Sequence, residues 1–469
     1  MQRPTAKTMA SSRAVRTNYS CVACGAGPAG MGFLFHAYRT GKLADIARNG
    51  LLIIDKRSSL GAGKLGDYVN VTGYSMVKTF LECLEHECFE KVLGDLSECS
   101  SLDRILTAAA DSTPRLTDVG TLLTVAAERF IAHLTEHYDV EVLRGHEVET
   151  IRCLEDGRFE IVHHDTRKPA TPLLITSDTV VMNPGGRQRV EEIDGLCRML
   201  RIPSPGKNVK TYTSDDLLRL SSAKLVDTFA PVLAQTAPRR INRIAIIGGA
   251  HSAFTMAERL ATDLGDIKLH EIAIIHRSPI RLYFETAEEA RLWGYSVDAA
   301  KDVCPITKRV NRASGLRYRA FEVACSILSR GGVSGAKPRV ELIDAGSGEA
   351  ARARAAECVA NSCAVIHGAG YGPNIPTLLD HWGAPIPLQV CRGGIEIDPL
   401  GRPLSINGEA ISGLFSFGLG SGFRPDAQIG NEPAFRGRIN GVWIFHHDIG
   451  GRVLTGVLQA LDAMAPLQF

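Results

Sequence analysis

Two short glycine patterns carry the most readable chemistry. Residues 20–37 run Ser-Cys-Val-Ala-Cys-Gly-Ala-Gly-Pro-Ala-Gly-Met-Gly-Phe-Leu-Phe-His-Ala, an apolar stretch, then Gly25-x-Gly27-x-x-Gly30, then a helical pattern. Gly25 permits the tight turn, Gly27 lets backbone approach a pyrophosphate, and Gly30 lets helix and strand pack closely. The phosphates would rest on the helix start, where unpaired N–H groups and the helix dipole favour an anion. A second apolar run, 51–54, ends at Asp55, whose carboxylate can accept both ribose hydroxyls, and Lys56 follows directly. Strand, glycines, helix, strand and acid in that order define a dinucleotide-binding unit.

The same grammar returns at Ile244-Ala245-Ile246-Ile247-Gly248-Gly249-Ala250-His251-Ser252-Ala253, with Ala250 in place of the middle glycine and a helix expected to about Leu264. The next apolar run, 272–275, ends not in an acid but in His276-Arg277-Ser278-Pro279-Ile280-Arg281. Arg277 and Arg281 can clamp a 2′-phosphate through charge-assisted contacts, which favours NADPH over NADH; solvated surface arginines are the other reading. Gly248, Ser252 and Ala253 join them as candidate contacts to this second nucleotide.

The elements that must position these residues form an α/β architecture. The expected order is a leader over 1–19, a first dinucleotide unit over 20–225, a second over 226–365 and a closing segment over 366–469. Gly185, after the run 180–182, and Gly418, after 414–417, lie where strands should end against cofactor. Ser75 is the expected N-cap of a helix over 76–90. Asn70, in the segment 61–76 that follows the acid, is the candidate catalytic residue; a plain turn asparagine is the alternative.

Composition restricts the function classes. The 469 residues suit two to four domains. Lys+Arg 53 against Asp+Glu 51 gives no support for a nucleic-acid or anionic-membrane partner. No apolar run reaches the ~18 residues of a membrane span. Twelve cysteines without regular spacing suit reduced thiols and a cytoplasmic location. Cys21 and Cys24 have a redox-dithiol spacing, but on a strand their side chains point to opposite faces, so they read as structural. The adjacent pairs His163-His164 and His446-His447 have no companion ligands at metal spacing, and no metal is expected. No Gly-x-Ser-x-Gly is present, so no nucleophile elbow is expected. Residues 1–19 carry four basic and no acidic side chains, as in a short unstructured leader or a transit peptide.

With Pro28-Ala29 inside the first motif, the segment resembles FAD-binding flavoproteins. Two nucleotide units in one chain resemble the flavoprotein plan in which an NADPH domain is inserted into an FAD domain, which implies 226–365 as the inserted domain, with a helical insertion at about 284–330, and 366–469 as the return of the FAD domain. The spacing at 276–281 is similar to bacterial thioredoxin reductases, but their Cys-x-x-Cys is missing between 240 and 365. A closer likeness is to flavin-dependent N-hydroxylating monooxygenases of the lysine and ornithine type. Residues 248–253 resemble their Gly-x-Gly-x-Ser-Ala turn, Gly368-Ala369-Gly370-Tyr371 their Ala-Thr-Gly-Tyr segment, and 211–217 their polar interdomain link. The resemblance implies FAD and NADPH as cofactors, Gly370 and Tyr371 as further contacts, and oxygen transfer from a flavin C4a-hydroperoxide to an amine or other small nucleophile, with O2 as co-substrate. After Asp55 the chain lacks that family's aromatic-rich sequence and its closing pattern, so lysine or ornithine itself is not implied. A flavoprotein reductase acting on another acceptor and a non-catalytic redox sensor share the glycine motifs and stay open, as does a homo-oligomer.

Overall fold

The computed structural model describes residues 16–234, 241–391 and 394–464. The strand Asn18–Cys24 is buried almost throughout, and Gly25 ends it with φ +97°. Helix Pro28–Arg39 follows, with proline in its first turn, where the missing N–H costs nothing. This strand is the centre of an eight-stranded sheet, pairing in parallel with Leu51–Asp55 on one side and Leu173–Met182 on the other. Val140–Arg144 extends the parallel side; His146–Cys153 and Phe159–Asp165 form an antiparallel hairpin on the other. Leu173–Met182 changes neighbours along its length: 173–177 pairs with the hairpin, while 180–182 also takes Leu414–Ser416. The C-terminal segment therefore returns beside the first glycine turn.

The second sheet is wholly parallel, ordered Arg339–Asp344, Glu271–His276, Arg243–Ile247, Ala364–His367, Lys210–Thr213. Its three central strands, Glu271–His276, Arg243–Ile247 and Ala364–His367, are buried and rich in Ile, Val and Ala because helices cover both faces. Its edge strand, 210–213, stands before the boundary expected at 226, in what reads in sequence as a polar link. Between Glu271–His276 and Arg339–Asp344 lies the helical insertion, with Ala287–Leu292, Ala299–Asp302 and Tyr318–Arg330.

Cys21 packs in the core on one face of the first sheet and Cys24 on the other, both as free thiols. Of the expected leader, residues 1–15 lie outside the described residues, while Asn18 and Tyr19 already belong to the first strand. The helix expected over 76–90 is two helices, Val77–Leu81 and Glu87–Leu93. Met76, not Ser75, is the first N-cap, and the break spans residues 82–86, closed by His86, which turns extended and accepts the Cys88 N–H on its ring. The last helix is Asp448–Met464. Among the described residues no helix is long and apolar enough to cross a membrane.

Candidate active site at the junction of two nucleotide turns

The first turn is built around atoms that leave no room for side chains. A Cβ on Gly25 would stand 2.3 Å from the Asn183 carbonyl oxygen, and one on Gly30 only 1.9 Å from that of Gly25. At Gly27 it would meet nothing closer than Gly63 Cα at 3.5 Å, so this face is the open one. Gly27 is the N-cap of Pro28–Arg39, and no side chain caps that helix. The arrangement fits a pyrophosphate, with the first-turn N–H groups as its donors. Asp55 accepts the Ala26 N–H at 2.7 Å and the Arg57 N–H at 2.8 Å, which tie the acid to the turn. Burial raises its carboxyl above the usual range despite these donors. Lys56 points outward to Glu147 at 3.3 Å. Gly418 (φ +103°) lies against Ala29, where a Cβ would come within 3.0 Å. Gly185 (φ +73°) has open space around it.

The second turn repeats the device with different neighbours. A Cβ on Gly248 would lie 2.1 Å from the Gly368 carbonyl oxygen, and one on Gly249 2.8 Å from His276 Cβ. Ala250 is the uncapped start of helix His251–Asp263, with Ser252 in the first turn and Ala253 buried against Gly368. Arg277 and Arg281 both follow the adjoining strand but are not equivalent. Arg277 is exposed, 2.8 Å from Met199 Sδ, whereas half-buried Arg281 leans to Asp302 of the insertion at 3.7 Å. The clamp expected of two arginines thus has one arm extended and one turned to a carboxylate.

Between the two turns lies a polar cluster assembled from four segments. Buried Asp215 accepts from Tyr68 Oη at 2.7 Å and Lys64 Nζ at 3.0 Å, with Tyr371 Oη at 3.3 Å. The two tyrosine oxygens are 2.7 Å apart. Gln188 accepts the Asp215 N–H at 2.9 Å and donates to the Gly370 carbonyl at 2.8 Å. Burial alone would raise the Asp215 carboxyl, but the bonds from Tyr68 and Lys64 outweigh it and hold it below the ordinary value. Burial and the carboxylate push both phenols well above theirs. The cluster is a desolvated anion fixed by donors from both domains, a setting in which polar groups keep their positions without solvent.

Of the sequence candidates, Tyr371 and Gly370 enter this cluster. Asn70 does not: it is exposed, at φ +55°, with only Ser222 Oγ at 3.5 Å, the geometry of a turn asparagine. Sequence reasoning passed over Lys64, Tyr68 and Asp215, although each stood in a segment singled out for its place, and it did not single out Gln188. The signal that could have found Asp215 is an acid in a link between domains, where burial demands partners. Among the described residues the one group with metal-like spacing is Glu271, Glu341 and Cys358; Arg243 and Arg354 pair with its carboxylates at 2.6 Å.

A parallel sheet whose first turn fits a dinucleotide, interrupted by a second such sheet, with a buried polar junction between them, is the two-nucleotide flavoprotein plan. The fold agrees with solved structures of that plan. The reduced form of ornithine hydroxylase from Pseudomonas aeruginosa is 16% identical, with a TM-score of 0.53 over 95% of this chain and 100% of that one. The ornithine N-hydroxylase of Kutzneria, solved with reduced FAD, NADP+ and L-ornithine, is 12% identical, with a TM-score of 0.50 over 94% and 99%. No protein-family profile matches the chain. A curated relative does: CMP-5'-(3-aminopropyl)phosphonate hydroxylase of Streptomyces rubellomurinus is 31% identical over 449 residues, 94% of this chain and 98% of that enzyme. The chain belongs to the family of that hydroxylase, and it is an oxidoreductase.

Proposed function

We propose that the protein is an FAD-dependent, NADPH-consuming monooxygenase that hydroxylates the primary amine of a phosphonate-linked substrate. The balance is R–NH2 + NADPH + H+ + O2 → R–NHOH + NADP+ + H2O. Bound FAD supplies the two-electron chemistry that links NADPH to O2. The protein's residues bind, orient and exclude water. The turn at Gly25, Gly27 and Gly30 with Asp55 holds FAD, and the turn at 248–253 with Arg277 holds NADPH. The Asp215 cluster keeps Tyr68 and Tyr371 in fixed positions at the junction, largely away from bulk water, with partly exposed Lys64 paired to its carboxylate. The amine and the phosphonate come from the relative's name, supported by identity along nearly the whole chain.

The observation that carries the reading is that Lys64 and Tyr68, beyond the first turn, and Tyr371, just past the Gly368 on which the second turn packs, meet on one buried carboxylate, Asp215. Steady-state turnover with 3-aminopropylphosphonate and its CMP conjugate tests the reading. The expected result is one hydroxylamine per NADPH and per O2 consumed. Consumption of NADPH and O2 with equimolar hydrogen peroxide and no hydroxylamine from either amine would overturn it.

A further inference from the structure

The C-terminal loop 424–437 has no part in either nucleotide turn, yet it is anchored more firmly than a surface loop requires. Its ends are joined by an antiparallel bridge between Phe423 and Ile439. Glu432 is fully buried and accepts three hydrogen bonds from the inserted segment: Ala313 N–H at 2.9 Å, Ser314 N–H at 2.9 Å and Ser314 Oγ–H at 2.6 Å. Arg312 donates to the carbonyls of Ile429 and Gly430, and the Ala434 N–H donates to the Lys301 carbonyl at 2.8 Å. A buried carboxylate spent on three donors from another domain fixes the loop against the helical insertion.

What this anchoring holds open is a cleft of about 390 Å³ lined by Arg424, Pro425, Asn431, Pro433, Phe435 and Arg436, together with Gly437. Arg424 is paired to Glu396 at 2.5 Å. Arg436 is exposed, donates only to the carbonyls of Pro433 and Phe435, and has no carboxylate partner among the described residues. The Phe435 ring lies edge-on to bare backbone: a Cβ on Gly437 would meet its Cζ at 2.6 Å. Asn431 uses its Nδ2–H on the Glu432 carbonyl at 2.8 Å and keeps its Oδ1 as an acceptor. Arginine, an aromatic face and an amide acceptor are the groups that recognise a phosphate bearing a nucleobase.

The cleft is also within reach of the junction. Gly420 packs on Gly372, the neighbour of Tyr371, with a Cβ–O approach of 2.9 Å. Arg424 is four residues further along, which bounds its separation from Gly420 at about 14 Å of extended chain.

We infer that this cleft binds the nucleoside-phosphate end of the substrate, with Arg436 on the phosphate and Phe435 under the pyrimidine, so that the amine arm points to the Tyr371 side. The inference rests on the proposed phosphonate-linked amine. Its test is titration of the FAD-loaded protein with cytidine 5′-monophosphate, using inorganic phosphate and cytidine as separate probes. Arg436→Gln should weaken cytidine monophosphate binding at least tenfold, and Phe435→Leu should weaken it while leaving inorganic phosphate unchanged. Arg330→Ala, which removes an exposed charge elsewhere, should not alter it, and retained FAD reports folding. A wild-type protein that does not bind cytidine monophosphate, or Arg436→Gln binding it as tightly as wild type, would overturn the assignment. Hydroxylation is read separately: binding that depends on Arg436 without hydroxylamine from any amine would support the cleft and remove the proposed reaction.

Discussion

The two nucleotide turns share a grammar but not an environment. The first is closed in by three other parts of the chain: Asn183 at the end of one strand, Gly63 beyond the acid, and Gly418 on the return segment. The helix it opens is buried along most of its length, and Gly32 lets it lie against Phe445, where a Cβ would come within 2.8 Å. The second turn touches its own sheet at Gly368 and His276, and Arg277, the arginine proposed for its phosphate, stands in solvent. Enclosure by distant segments suits a group that stays bound through many turnovers; an open turn with an exposed cation suits one that enters and leaves. The protein reads as one resident nucleotide and one exchanging nucleotide on the same design.

The largest break in that comparison should come from Gly30→Ala. A methyl 1.9 Å from the Gly25 carbonyl forces the helix off its strand, at about 3 kcal/mol of strain. The variant should purify without yellow colour and with a lowered melting temperature. Retention of stoichiometric FAD would show that the first turn does not hold it.

At the second turn, Arg277→Ala should raise KM for NADPH about tenfold to a hundredfold, the value of one lost charge-assisted contact, and leave KM for NADH unchanged. Arg281→Ala should change KM for NADPH less than about threefold, since Asp302 already faces that guanidinium. Equal effects at both positions would restore the symmetrical clamp that the sequence suggested.

How much could be read without the structure follows from this. The turns were legible because their signature is local: glycines, strand and helix lie within some twenty residues of one another, even though the atoms packed on Gly25 and Gly248 belong to distant Asn183 and Gly368. The cluster was not, because Lys64, Gln188, Asp215 and Tyr371 meet only after the chain has crossed between sheets twice. The same holds for Arg281, whose partner Asp302 lies in the insertion, and for Glu432, which meets Ser314 across more than a hundred residues. The broken helix after Met76 was missed for a smaller reason, a histidine ring that caps better than it continues.

Asp215→Asn probes the region between the turns. The side chain keeps its shape but leaves Lys64 and Arg219 without their shared counter-charge, at about 1–3 kcal/mol given that Lys64 is partly exposed. We expect kcat/KM for the amine to fall about tenfold with FAD content unchanged. A variant with wild-type kcat/KM would confine the cluster to holding the domains together.

The smallest effect concerns pH. His251 opens the second helix and packs at a tilt against Tyr74 of the first domain, ring centroids 4.2 Å apart and planes at 46°. Burial, with Arg317 nearby, lowers its pKa to about 4 from an ordinary 6.5. A group depressed on folding contributes stability that is complete above its unfolded pKa and is lost as pH falls toward the folded one, here between about 6.5 and 4. His251→Gln should therefore flatten the fall in melting temperature over that window by the equivalent of about 1–2 kcal/mol, discounted because part of the residue meets solvent. An unchanged slope would place the acid sensitivity in other histidines.

The most direct measurement is isotopic. The FAD-loaded protein is reduced anaerobically with one equivalent of NADPH, then mixed with 18O2 and the aminopropylphosphonate conjugate, and the product is analysed by mass. One 18O atom in the hydroxylamine, with NADP+ formed in equal amount, is the result expected of a monooxygenase with two nucleotide sites. Flavin reoxidation that delivers all of the label to hydrogen peroxide, with the amine unchanged, would contradict it.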